Sequence, residues 1–284
     1  MRKTILLISL FLPYMTFAAD APSMATPLET SLSNTAISYF GYFSTEAQDV
    51  NIGNASFYAY NLIAINYKIN PRFTVSARPT FTYDSAGTRY GYDMPARTKM
   101  ADSHFALIDK TPVALPYSIR TKVVYKLYVP TDPEWQQAGT YGGLGAELEV
   151  SKDFSNGFAF GYYPKVIALA QKQTSFIYED NGRSTKKPTQ NSSIEQWLRV
   201  SKYFGDKINI SQGLGLKDEF FNSSTAYQDQ HSQYQMIETA VNVEVSNNMD
   251  VSFGLGQASK IPVQSYQLYK DTETSYFAMT SIRM

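Results

Sequence analysis

Between Arg72 and Asp84 the chain alternates between apolar and polar positions. Phe73, Val75, Ala77, Pro79, Phe81 and Tyr83 fall on one side. Arg72, Thr74, Ser76, Arg78, Thr80, Thr82 and Asp84 fall on the other. A period of two belongs to a strand, because a helix would mix the two sets on every face. From Ser118 to Val129 the pattern returns, with Ile119, Val123, Tyr125, Leu127 and Val129 set against Arg120, Lys122, Lys126 and Tyr128. Followed along the chain, it predicts strands at 35–44, 55–69, 72–84, 102–110, 118–129, 140–150, 157–173, 193–203, 207–217, 233–246, 250–259 and 272–284. Several reach the roughly 9–11 residues that carry a tilted strand across a bilayer. Pro79 departs from the pattern, since proline removes a ladder donor and belongs at edges or bulges.

The breaks between strands are ordered. Asn70-Pro71, Phe204-Gly205-Asp206 and Asn247-Asn248-Met249 make tight turns, while the connections after the odd-numbered strands are long and polar. Short turns at one end and long loops at the other are the layout of a transmembrane barrel. The expected fold is therefore all-β: an antiparallel up-and-down β-barrel of about 12 strands over residues 35–284, with both termini at one end.

The N-terminus predicts export. Arg2 and Lys3 precede an apolar run from Ile5 to Phe17, and Thr16-Phe17-Ala18 places small residues at a signal-peptidase site. Residues 1–18 read as a signal peptide, and 19–34 as a periplasmic N-terminal segment rich in Pro, Ser and Thr. No cysteine follows, so neither a disulfide framework nor a thiolate metal site is available. Tyr (22) and Phe (17) far outnumber Trp (2), and mean hydropathy is −0.29. Low hydropathy with many aromatics suits strands that alternate between lipid and lumen. The 25 basic and 25 acidic residues cancel, which gives no electrostatic footprint for nucleic acid.

In the last strand Tyr276, Ala278, Thr280, Ile282 and Met284 share one face. This resembles the C-terminal assembly signal of Gram-negative outer-membrane proteins, from whose usual final Phe Met284 departs. In architecture the whole chain resembles the small porin-like class of those barrels. The resemblance implies an outer-membrane location with both termini periplasmic. Its partners would be membrane lipid and lipopolysaccharide, the outer-membrane assembly machinery and, if the lumen is open, small hydrophilic solutes.

Apolar faces must meet lipid, which assigns the polar faces to the lumen. The lumen-lining candidates are Arg72, Arg78, Arg120, Lys122, Lys126, Glu147, Glu149, Lys165, Arg199, Glu238 and Glu244. Asp84, Glu195 and Arg283 share that assignment. A symmetric closure of the 130–139 loop sets Arg120 opposite Glu149 and Lys122 opposite Glu147. Arg72, Arg78 and Lys126 are then left without cross-strand acids, which calls for water or for the 20–34 segment with Glu29. Inward glycines are expected under aromatic rings, Gly145 under Tyr163 and Gly213 under Trp197. His104 and His231 are the only histidines, and no His-Glu-x-x-His, Walker or GxSxG pattern is present. No cofactor or metal is implied. The leading expectation is a passive channel without enzymatic chemistry. A barrel with a filled lumen is the alternative. A barrel-type lipid hydrolase stands further off, because it would need His104 to meet a serine and an acid near the outer leaflet.

Two outcomes test the export reading. N-terminal sequencing of the membrane-extracted protein should begin near Ala19. Unboiled samples should migrate differently from boiled ones in detergent gels; an intact Met1 on a soluble cytoplasmic product would overturn the reading.

Overall fold

The structure is a computed structural model, and it describes residues 34–51, 53, 56–89, 92–180, 183–222, 231–261, 269 and 273–284. Residues 1–18, read above as a signal peptide, and nearly all of the 19–34 segment, Glu29 included, lie outside the described residues. Twelve barrel strands follow in chain order. They are β1 (Thr35–Glu46), β2 (Tyr58–Lys68), β3 (Phe73–Arg78 and Thr80–Asp84) and β4 (Arg97–Met100 and His104–Asp109). Next come β5 (Arg120–Tyr128), β6 (Thr140–Asp153), β7 (Phe158–Gln171) and β8 (Gln190–Phe204). The set ends with β9 (Ile208–Phe221), β10 (His231–Ser246), β11 (Met249–Ile261) and β12 (Thr274–Arg283).

Each strand pairs antiparallel with the next, and β1 pairs with both β2 and β12, so the sheet closes on itself. Closure gives every strand two partners and leaves no edge. Short hairpins, Gly87–Arg89 with Tyr92–Met94 and Ser175–Asp180 with Arg183–Pro188, occupy the connections after β3 and β7. The described helices are five-residue turns, α1 (Ala47–Asn51) and α2 (Pro133–Gln137). Asp132 caps α2, its carboxylate accepting from the Glu134 and Trp135 N–H groups, and Pro133 follows at the first helical position. We call the end that carries both chain termini the terminal end and the opposite one the loop end.

The alternation seen in the sequence sorts the side chains. Ile65, Leu107, Leu127, Val166, Leu198, Ile210, Leu214, Val241 and Phe253 stand exposed on the outer surface. That apolar belt runs around the barrel and fits hydrocarbon. Ser76, Arg78, Lys126, Glu147, Glu195 and Glu238 are buried on the inner face. In β4 the strand begins earlier than its periodicity indicates, at Arg97 rather than 102.

A bulge explains the disguise. Pro79 divides β3 while leaving the register with β2 unbroken, since Ile65 faces Ala77 and Leu62 faces Thr80. On the other side β4 bulges at Ala101–Ser103. His104 faces Arg78, but Met100 faces Phe81, a slip of one residue. Pro79 turns its backbone toward β2, where its carbonyl accepts from Ile63 N–H at 3.1 Å; the residue that turns toward the bulge is Thr80. Thr80 N–H donates to Ser103 Oγ at 3.1 Å, and Ala101 N–H donates to Thr80 O at 3.0 Å. One extra residue reverses which parity faces inward, so Asp102 and His104 join the interior.

The inward glycines lie under aromatic rings, Gly213 under Trp197 as expected and Gly145 under a ring other than the expected one. A Cβ on Gly145 would come within 2.9 Å of the Tyr128 ring, not of Tyr163. Tyr163 folds over Gly161 of its own strand. Trp197 lies across from Gly215, and its ring covers both Gly213 and Gly215. The β6–β7 register places Ile167 opposite Gly145, and an aromatic ring reaches along its own strand as readily as across.

A Gly215→Val substitution tests this packing. A Cβ there would stand 2.8 Å from the Trp197 ring. Overpacking of this kind costs about 1–3 kcal/mol, to be read as a lowered unfolding midpoint in detergent. An unchanged midpoint would show that the ring is free to move.

Candidate functional site

Opposite charges follow one another around half of the inner wall. Lys126 Nζ lies 2.5 Å from Glu147 Oε1, which lies 3.8 Å from Lys165 Nζ; Lys165 lies 3.9 Å from Glu195 Oε2. Glu195 accepts from Trp197 Nε1 at 2.7 Å. Further round, Arg199 passes over Gly213 and bonds Glu238 at 2.9 Å. Glycine on β9 makes this reach possible, because a side chain there would occupy the arginine's path. Another part of the wall is aromatic: Tyr42 stacks on Phe277 with ring centroids 5.8 Å apart, and Phe40, Tyr60 and Leu62 belong to the same buried cluster.

The charge pairing differs in register from the sequence expectation. Lys122 lies opposite Glu149, and Arg120 opposite Ser151. The ion pairs are Lys122–Glu149 at 2.7 Å, Lys126–Glu147 at 2.5 Å and Arg120–Asp153 at 2.8 Å. The expected Arg120–Glu149 and Lys122–Glu147 pairs are thus displaced by two residues. The loop, which contains α2, closes asymmetrically, with Gly143 opposite Tyr128. A slip of two preserves the facing of every side chain, which is why the inward set survives the wrong register.

Arg72 lies outside β3, in the turn at the terminal end, and bonds Asp109 through two nitrogens, each at 2.7 Å. Arg72 and Lys126 therefore have acids, contrary to the expectation. Arg78 donates from Nε to Ser76 Oγ at 3.2 Å, and no carboxylate among the described residues pairs with it. Glu244 faces Asp250, whose carboxylate receives Arg283 at 2.8 Å.

Exposure falls along β5 from the terminal end inward: 57% for the Arg120 side chain, 24% for Lys122 and 5% for Lys126. Along β5 the inner face is therefore solvent-accessible at the terminal end and buried further in. At the loop end, Trp135 of α2 meets Tyr128 edge-on at 5.8 Å, and Tyr128 lies 5.2 Å from the His104 ring. Lys187 of the 183–188 strand bonds Glu134 at 2.9 Å and sits 3.9 Å above the Tyr178 ring, tying the hairpin to the helix.

His104 Nδ1 contacts Asp102 O at 3.2 Å, inside the barrel. His231 opens β10 rather than lying in a loop, and its Nε2 contacts Asp218 at 2.8 Å. Among the described residues neither histidine bonds a serine hydroxyl. The sequence reading missed Asp102, Tyr58 and Tyr60 as interior groups, and it missed α2. The Asp132-Pro133 pair carried a helix-start signal; a one-residue bulge carries none.

No family model matches the chain, and no curated protein matches it. Solved structures do. An outer-membrane channel from Pseudomonas putida F1 aligns at TM-score 0.60 and 11% identity, over 92% of this chain and all of that one. The NanC porin aligns at 0.49 and 8%, over 88% of this chain and all of its own. The β domain of the Bordetella autotransporter BrkA gives 0.49 and 12%, also over 88% of this chain. The chain has the fold of the outer-membrane β-barrels.

Reversing charges tests the register. Lys122→Glu should lower stability by about 1 kcal/mol, since both partners are partly solvated. Adding Glu149→Lys should restore most of it in detergent unfolding. The Arg120→Glu, Glu149→Arg combination should show no such recovery; recovery there would reject the observed pairing.

Proposed function

We propose that the chain is a passive outer-membrane channel for small hydrophilic solutes, with its termini periplasmic and its loop end outside. The observation that carries this reading is the graded, charge-lined interior, wet at the terminal end and narrowing along β5 from Arg120 to Lys126. Charged rows of this kind cost about 2–4 kcal/mol per residue facing hydrocarbon at the midplane, and water or an internal partner removes that cost. Paired signs flatten the field, so ion selectivity is weak, and Arg78 tips it slightly toward anions. Membrane lipid and lipopolysaccharide surround the belt, and the assembly machinery inserts the barrel. The burial of Lys126, Glu147, Glu195 and Glu238 favours a second reading, a barrel whose lumen is filled by its own side chains.

Planar-bilayer recording separates the two. A channel gives ohmic steps with a small anion preference in the reversal potential, and Arg78→Ala reduces that preference. A barrel that inserts yet never conducts, even after deletion of residues 20–34, would establish the filled barrel instead.

A further inference from the structure

The outer wall carries a groove of about 680 Å³ at β2–β5. Its shape follows from side-chain size on one face. Ala77 of β3 stands between Ile65 of β2 and Phe105 of β4, both larger. In the next row toward the terminal end, Val75 and Leu107 stand between Tyr67 and Tyr125. All seven line the groove, and the six larger ones are exposed. The groove therefore follows β3 within the apolar belt, where the wall meets hydrocarbon. Its terminal end is polar. Phe73 is next on the same face of β3, and the Arg72 guanidinium lies 4.9 Å from the centre of its ring. Arg72 bonds Asp109, directly across from Phe73, and the Tyr125 hydroxyl lies near enough to act on the same guanidinium. Arg72 thus reaches the outer surface. Lys68 ends β2, and Lys110 N–H donates to Arg72 O at 3.0 Å. This corner of the rim holds three cations and one carboxylate, an excess of two positive charges.

An apolar slot that leads to a cationic rim matches a molecule with a hydrocarbon chain at one end and an anion at the other. The rim stands where strand ends meet the headgroup region, and cations there attract anionic lipid. From Phe73 to Ala77 the strand rises about 13 Å, close to the roughly 15 Å depth of one leaflet. A second copy of the chain fits less well. A stable subunit contact buries about 800 Å² on each partner, and two convex barrel walls would bridge the groove without filling it. A hollow of several hundred Å³ has the size of a single bound ligand. We propose that the groove binds one acyl chain of an anionic phospholipid, whose phosphate rests among Arg72, Lys110 and Lys68. The site lies on the outside of the barrel and does not depend on the channel reading.

The full chain, stripped of lipid in a neutral detergent, is titrated with phosphatidylglycerol or with phosphatidylcholine of the same acyl chains and read by native mass spectrometry. One phosphatidylglycerol should bind saturably, and phosphatidylcholine about tenfold more weakly in physiological salt. Lys68→Gln together with Lys110→Gln should bring phosphatidylglycerol down to the phosphatidylcholine level. That variant leaves the Arg72–Asp109 pair in place. Ala77→Phe fills the groove and should weaken both lipids. It adds apolar surface to a wall that already faces hydrocarbon, so gel mobility of the unboiled barrel should be retained. Ala77→Leu takes its place if the larger ring prevents folding. Equal affinity for the two lipids, no saturable lipid, or a folded groove-filling variant that binds both lipids like the unsubstituted chain would overturn the site. A dimer mass abolished by Ala77→Phe would assign the groove to a second copy instead. Conductance does not enter the readout, so a barrel that binds the lipid but never conducts fails only the channel reading.

Discussion

Everything in this molecule depends on the requirement that each strand's backbone find partners on both sides while surrounded by hydrocarbon. An unpaired amide in that setting costs several kcal/mol, and only a closed ladder removes the cost for all strands together. The pairing of β1 with both β2 and β12 is where the requirement is met. Closure then dictates the side chains. One parity of every strand meets lipid and the other is confined to a narrow interior, so charges placed inside must find partners or water. The chain of Lys126, Glu147, Lys165 and Glu195, each sign answering the next, is the arrangement that confinement selects.

The interior is not uniform. One stretch of the wall is ionic and another aromatic, the latter with Phe40, Tyr42, Tyr60 and Phe277 packed as in the core of a soluble protein. Glycines on β6 and β9 make this division possible. Tyr128 and Trp197 lie flat against the wall because Gly145 and Gly215 leave backbone bare beneath them. Long cations can likewise run along the wall, as Arg199 does over Gly213, instead of crossing the bore. At the loop end, Trp135 of α2 packs edge-on against the Tyr128 ring.

Much of this was legible in the alternation alone. Period-two patterning located all twelve strands and the facing of Lys122, Lys126, Glu147 and Glu149, because facing depends only on parity. Register was less legible. It depends on how a loop closes, and the loop that holds α2 closes two residues away from the symmetric β5–β6 pairing. Asp102 and His104 were hidden for a different reason. A bulge switches parity mid-strand, so the period that reveals every other strand is broken in β4 where the interior groups sit. Ring placement over glycine is a matter of rotamers and leaves no trace in spacing.

The bulge opposite Pro79 also bears on how the barrel is put together. Sliding β4 by one residue along β3 would carry Phe105 and Leu107 into the bore and His104 into lipid. Beyond the bulge it would expose Lys99 to lipid and turn Met100 inward. Every neighbouring alignment of these two strands is penalised on both faces at once. Correct alignment of β3 with β4 is therefore selected locally, as soon as the two strands meet. Later strands can join an edge whose offset is already settled, before the ring has closed.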